Sequence, residues 1–119
     1  MKILLTSMNT KYIHSNIAIR YLKDSVYPKY NCDCKDFTIN QSSDEIIYEI
    51  LRRNYNIIGF STYIWNVEKT LEISEKLKLI DPNLIILLGG PEVSFNSKEI
   101  VKNHPYIDFI IAKIFLQVL

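Results

Sequence analysis

The chain has 119 residues, 48% of them hydrophobic, and a formal charge of +1, which describes one domain with enough apolar material for a core and no need of disulfide or metal staples. Fourteen Lys and Arg against 13 Asp and Glu leave no basic footprint for nucleic acid. No apolar run approaches the roughly 18 residues that span a bilayer, and the opening Met1–Thr6 turns polar too soon for a signal peptide, so a cytoplasmic protein with no membrane partner is expected.

Along the chain, apolar runs alternate with amphipathic stretches. Ile3-Leu4-Leu5 makes the first strand, and the segment after it places Ile17, Ala18, Tyr21 and Leu22 on one helical face. Cys34–Ile39 reads as a second, more polar strand, suited to a sheet edge. Near its start, Cys32 and Cys34 read as two reduced thiols, because two cysteines with no nearby His cannot fill a tetrahedral zinc site. No C-x-x-x-C-x-x-C occurs, so the chain carries no iron–sulfur cluster of its own. Ser42-x-x-Glu45 is a capping box ahead of Ile46, Ile47, Ile50 and Leu51.

Asn56–Ser61 is the third strand, followed by a helix capped at Asn66 with Val67, Leu71, Ser74 and Leu77 facing inward. Leu84–Leu88 lacks polar alternation and reads as a central parallel strand covered on both faces. Asn96, with Glu99 three residues on, opens a short helix that stops before Pro105, and Ile107–Ile111 supplies the fifth strand. This alternation predicts an α/β, flavodoxin-like (Rossmann-like) domain with five parallel strands in the order 2-1-3-4-5 and helices on both faces.

Open parallel sheets bind ligands beyond the carboxyl ends of their strands. That points to Thr6–His14, Ser61–Asn66 and Leu88–Phe95. Gly89-Gly90-Pro91-Glu92 either lets a ligand approach bare backbone or makes a tight turn that needs positive φ. Ser61-Thr62-Tyr63-Ile64-Trp65 sets two hydroxyls beside large aromatic rings. Thr6–His14 is a long polar loop for its place, without the glycines of a flavin phosphate loop. The acidic residues of a phospho-receiver are absent from these positions. His14 and His104 sit at helix ends, and no nucleophile–base pair, paired carboxylates or metal-ligand spacing emerges. The residues alone describe a ligand-binding α/β domain without catalytic equipment.

Four segments carry a family resemblance: Asn9–Ser15, Phe37–Ser42, Gly59–Asn66 and Leu88–Ser94. Through them the chain, from Met1 to about Ile111, resembles the N-terminal cobalamin-binding domain of cobalamin-dependent radical S-adenosylmethionine proteins. The general cobalamin-binding pattern is D-x-H-x-x-G, then S-x-L, then G-G. Ser61-Thr62-Tyr63 and Gly89-Gly90, separated by 25 residues, match the last two elements, with Tyr63 in place of Leu. In the first element Asn9, Lys11 and His14 stand at the D, H and G positions.

The resemblance implies cobalamin (vitamin B12) as cofactor, held base-off because a charged lysine is a poor cobalt ligand. It implies cofactor contacts from Thr6, Asn9, Thr10, Lys11, Ser61, Thr62, Tyr63, Trp65, Gly89, Gly90, Pro91 and Glu92. A valine at Gly90 is then expected to block the nucleotide tail without disturbing the fold. S-adenosylmethionine and the iron–sulfur cluster would belong to a radical domain outside this chain, with methyl transfer as the reaction class. The residues divide as 1–111, a cobalamin-binding-like domain, and 112–119, an apolar tail that departs from the family and offers a surface for homodimers. The fragment is thus expected to be truncated. The competing expectation is a flavodoxin-like interaction module that binds no cofactor, with a flavin protein a distant third.

Overall fold

The structure is a computed structural model and describes residues 1–9, 31–90, 93 and 97–111. Its elements are β1 (Lys2–Asn9), β2 (Asn31–Thr38), α1 (Ser43–Leu51), β3 (Ile57–Ser61), α2 (Val67–Ile80), β4 (Ile85–Gly89), α3 (Ser97–Asn103) and β5 (Phe109–Ile111). All four strand pairs are parallel, in the order β2-β1-β3-β4-β5. That is the order expected from the sequence. The expected helix around Ile17–Leu22, the Asn96 cap and the 112–119 tail lie outside the described residues.

Side chains alternate between the two faces of a strand, so register decides what meets the helices. Leu4, Met8, Ile58, Phe60, Ile86 and Leu88 share one face, each buried to about 1% exposure or less. They join Ile46 and Ile50 from α1 and Ile73 and Leu77 from α2 in one core. Burying a side chain of this size stabilises by about 1.5–3 kcal/mol relative to leaving it in water. α1 starts as the capping box requires in one half only. Ser42 Oγ accepts from the Glu45 backbone N–H at 3.2 Å, while the Glu45 carboxylate accepts from Gln41 Nε2 instead.

Several expected boundaries shift. β1 runs on to Asn9, making Thr6–Asn9 strand instead of loop, because β2 pairs with it residue by residue from Lys2↔Asn31 to Asn9↔Thr38. The same pairing starts β2 three residues early and ends it at Thr38. β4 is less enclosed than its apolar run implies, since Ile85 is exposed and Leu87 half-buried on the face away from the core. β5 is confined to Phe109–Ile111. Before it, the Asp108 backbone N–H bonds Ile86 O at 3.0 Å and the Asp108 carboxylate accepts from the Ile86 N–H at 2.8 Å. The same carboxylate pairs with Lys78 of α2.

At the amino end of the sheet, the Tyr55 hydroxyl donates to Asp33 Oδ2 at 2.7 Å, and Lys2 Nζ sits 4.9 Å over the Tyr55 ring. Burial, then the Asp33 hydrogen bond and charge, push the Tyr55 hydroxyl from 10.0 up to about 12. Folding therefore favours the protonated phenol. This contribution is complete below the unfolded value of 10.0 and is lost as pH rises through about 12. Tyr55→Phe should cost about 1 kcal/mol at neutral pH and flatten the stability loss across that alkaline window, as read by urea unfolding at a series of pH values.

Candidate functional site

Parallel register brings the sequence-predicted segments to one end of the sheet. Ser61 pairs with Gly89 and Thr6 with Phe60, so the ends of β1, β3 and β4 meet at a common carboxyl rim. Thr62 locks two of them together. Its backbone N–H and its Oγ1 both donate to Gly89 O, at 2.7 and 2.6 Å. The Thr62 hydroxyl proton is thereby committed to the fold, which leaves that oxygen only as an acceptor for a ligand.

Gly90 has φ +106°, a conformation that side chains rarely adopt, and a Cβ there would lie 2.4 Å from Thr62 O and 2.8 Å from Thr62 N. Both atoms are backbone and cannot swing aside. Of the two readings of the glycine pair, the tight turn holds for Gly90. The expectation that valine at Gly90 would leave the fold native is therefore corrected: it would collide with Thr62.

Asn66 departs from its expected role. Its side chain caps no N–H of α2. Buried to 1% exposure, the carboxamide turns back toward the rim: Oδ1 accepts from the Tyr63 N–H at 2.8 Å, and Nδ2 donates to Met8 O at 2.9 Å. Ser7 Oγ and Ser61 O both lie 3.3 Å from the same nitrogen. Ser7 Oγ itself donates to Ser61 O at 3.0 Å. The ends of β1 and β3 are thus joined through one side chain and one hydroxyl.

Held by that contact, the Tyr63 and Trp65 rings stack with centroids 4.6 Å apart and planes 1° from parallel. Trp65 is 38% exposed and the intervening Ile64 77% exposed, so a flat apolar plate stands at the rim. At the end of β1, Asn9 is 2% exposed, yet neither its Oδ1 nor its Nδ2 has a hydrogen-bond partner among the described residues. Thr6 is fully buried with its Oγ1 in the same condition. Buried polar groups without partners are uncommon and costly, about 1–3 kcal/mol each.

Of the predicted site residues, the structure brings Thr6, Asn9, Ser61, Thr62, Tyr63, Trp65, Gly89 and Gly90 to this rim. Thr10, Lys11, Pro91 and Glu92 lie outside the described residues, as does His14. Residue-type reasoning missed Ser7 and the true partners of Asn66. The only sequence signal for the latter was its place directly after the aromatic pair. Among the described residues, no group of three or more His, Cys, Asp or Glu could hold a metal ion. No helix there is long and apolar enough to cross a membrane. The arrangement can bind a flat apolar group and hydrogen-bond its polar appendages; among the described residues it presents no nucleophile–base pair.

The sequence profile of the B12 binding domain matches residues 3–113. The cobalamin-dependent radical SAM methyltransferase TokK of Streptomyces tokunonensis is 27% identical over 55 residues, 46% of this chain and 8% of that protein. In structure, the chain resembles the cobalamin-dependent S-adenosylmethionine radical enzyme OxsB with aqua-cobalamin and S-adenosylmethionine bound. The TM-score is 0.75 at 17% identity, covering 91% of this chain and 16% of that one. A cobalamin-binding protein from Desulfitobacterium hafniense DCB-2 shares the fold with a TM-score of 0.67 at 15% identity, covering 92% of this chain and 52% of that one.

The glycine geometry makes a paired prediction. Gly90→Ala should destabilise by more than about 1 kcal/mol, because alanine must hold positive φ against fixed backbone. Gly59→Ala should cost less, since its new Cβ meets the mobile end of Leu5, Cδ2 at 2.9 Å. Urea unfolding of the two variants checks the ranking, and equal costs would refute it.

Proposed function

Because the chain belongs to the B12 binding domain family, whose cofactor is cobalamin, we propose that the carboxyl rim of its sheet is the cobalamin site of a cobalamin-dependent radical S-adenosylmethionine enzyme. Methyl transfer is the reaction class. The observation that carries this reading is the buried carboxamide of Asn9, unpartnered among the described residues, at the same carboxyl rim as the stacked Tyr63 and Trp65 rings. A corrin is a wide, flat ring edged with amide side chains. It matches a rim that offers apolar rings together with a group able to donate and accept at once. The residues present therefore fit the cofactor.

In this reading Tyr63 and Trp65 meet the corrin, and Asn9 hydrogen-bonds one of its amides. Ser61 and Gly89 line the passage of the nucleotide tail, and Gly90 shapes the turn at its mouth. Thr6, Thr10, Lys11, Thr62, Pro91 and Glu92 complete the contacts. The cofactor supplies the methyl-carrying chemistry, while the protein binds, orients and shields it. Lys11 stands where the general cobalamin-binding pattern has histidine, so cobalamin would be held base-off with no histidine on the cobalt. The iron–sulfur cluster and S-adenosylmethionine sit on a radical domain outside these 119 residues, in keeping with a match to 8% of the methyltransferase. The binding unit spans 1–111 and works in the cytoplasm. The apolar residues of 112–119 would pair two copies of the chain, which sedimentation at two concentrations checks.

The reading is tested by incubation with hydroxocobalamin followed by desalting. Retained corrin absorbance, with quenching of Trp65 (the single tryptophan), is expected. A colourless protein would overturn the reading in favour of an interaction module. In the cobalt(II) form, electron paramagnetic resonance should show no axial-nitrogen splitting, with or without His14→Ala.

Asn9→Leu separates binding from stability. It replaces an unsatisfied amide with an apolar side chain of similar size, so the cofactor-free protein should gain about 1 kcal/mol. Cobalamin retention should fall at least tenfold. Lost stability together with unchanged retention would remove Asn9 from the site.

A further inference from the structure

We infer that the first turn of α2, through Asn66 and Lys69, positions the cobalamin site; the inference rests on the reading of the rim given above. Residues three apart share one face of a helix, and here that face reaches the segments leaving three strands. Asn66 holds the carboxyl ends of β1 and β3 through Met8 O, Ser7 Oγ and Ser61 O, and it holds the aromatic plate through the Tyr63 N–H. Lys69 Nζ donates to Ile39 O at 2.7 Å and to Gln41 O, gripping the turn after β2. The Ile39 N–H in turn donates to Asn9 O at 2.7 Å.

The clamp therefore fixes the backbone on which Asn9, Ser61 and Tyr63 stand, without either side chain making a ligand contact of its own. Its orientation argues against a purely helical role. An asparagine at this position ordinarily caps its own helix, worth about 1 kcal/mol; Asn66 leaves that bond unmade and reaches to the rim. Lys69 likewise directs a half-buried ammonium to two backbone carbonyls of another turn.

The variants Asn66→Asp, Lys69→Met and Lys69→Arg test this. Aspartate is a good helix cap of the same size, so a helical role predicts no loss. It cannot donate to Met8 O, so the clamp predicts at least tenfold weaker cobalamin binding by Trp65 quenching. Lys69→Met keeps the aliphatic stem, and Lys69→Arg restores a donor. The first should weaken binding at least fivefold and speed amide hydrogen exchange at Ile39 in the cofactor-free protein, and the second should recover both. Exchange at Ile39 reads the clamp without cobalamin, and guards against variants that lose binding by unfolding. Wild-type retention with undiminished binding in Asn66→Asp and Lys69→Met, or unchanged Ile39 exchange in Lys69→Met, overturns the inference alone. No retention by the wild type overturns the cobalamin reading and this inference with it.

Discussion

The carboxyl rim depends on one requirement: a buried carboxamide must find partners for its donors and its acceptor. Asn66 finds them on two strands and one loop, at 2.8 Å from the Tyr63 N–H and 2.9 Å from Met8 O, with Ser7 Oγ and Ser61 O near the same nitrogen. Inside a protein, such bonds are stronger than in water and costly to leave half-made. The ends of β1 and β3 are consequently fixed relative to the helix that follows them. Thr62 extends the lock to β4 by donating twice to Gly89 O, and Gly90 can close its turn against Thr62 only because it has no Cβ.

Beneath this rim the sheet is ordinary in its energetics. Leu4, Ile58 and Ile86 from neighbouring strands meet Ile46, Ile73 and Leu77 from the helices in one dry core. The rim itself is different. It buries Thr6, Ser7, Asn9, Ser61, Thr62 and Asn66 together, a concentration of polar groups that a stability-driven design would avoid. Ser7 and Asn66 find partners within this group, and Thr62 finds one in Gly89 O. Thr6 Oγ1 and the Asn9 amide find none among the described residues. In the cobalamin reading proposed above, binding would recover what folding left unmade at these groups.

Fold and cofactor family agree here, but they rest on different grounds. Sheet order and likeness to OxsB at 17% identity establish the architecture, which many unrelated functions share. Family membership comes from the profile match over residues 3–113. What links the two is local chemistry: a flat aromatic plate, a turn closed by a glycine and an unsatisfied amide, all at the end of the sheet where open α/β folds take their ligands.

Much of this was legible in the chain. The apolar runs, the Ser42 cap and the spacing of helical faces determine a parallel five-stranded sheet, since periodicity and capping are local properties of neighbouring residues. The rim segments were legible too, because ligands in such sheets bind where strands end. Strand lengths were not. Thr6–Asn9 looks like loop from its polar residues, yet pairing with β2 makes it strand, and pairing partners lie far off in sequence. The role of Gly90 was equally undecidable, since it turns on the 2.4 Å approach of Thr62 O. Asn66 shows the limit most sharply. Its residue type predicts a cap, because asparagine at a helix start usually bonds its own backbone. Only tertiary structure brings Met8 O and Ser7 Oγ within reach of its Nδ2, and with the amide so turned Oδ1 accepts from the Tyr63 N–H and not from the helix.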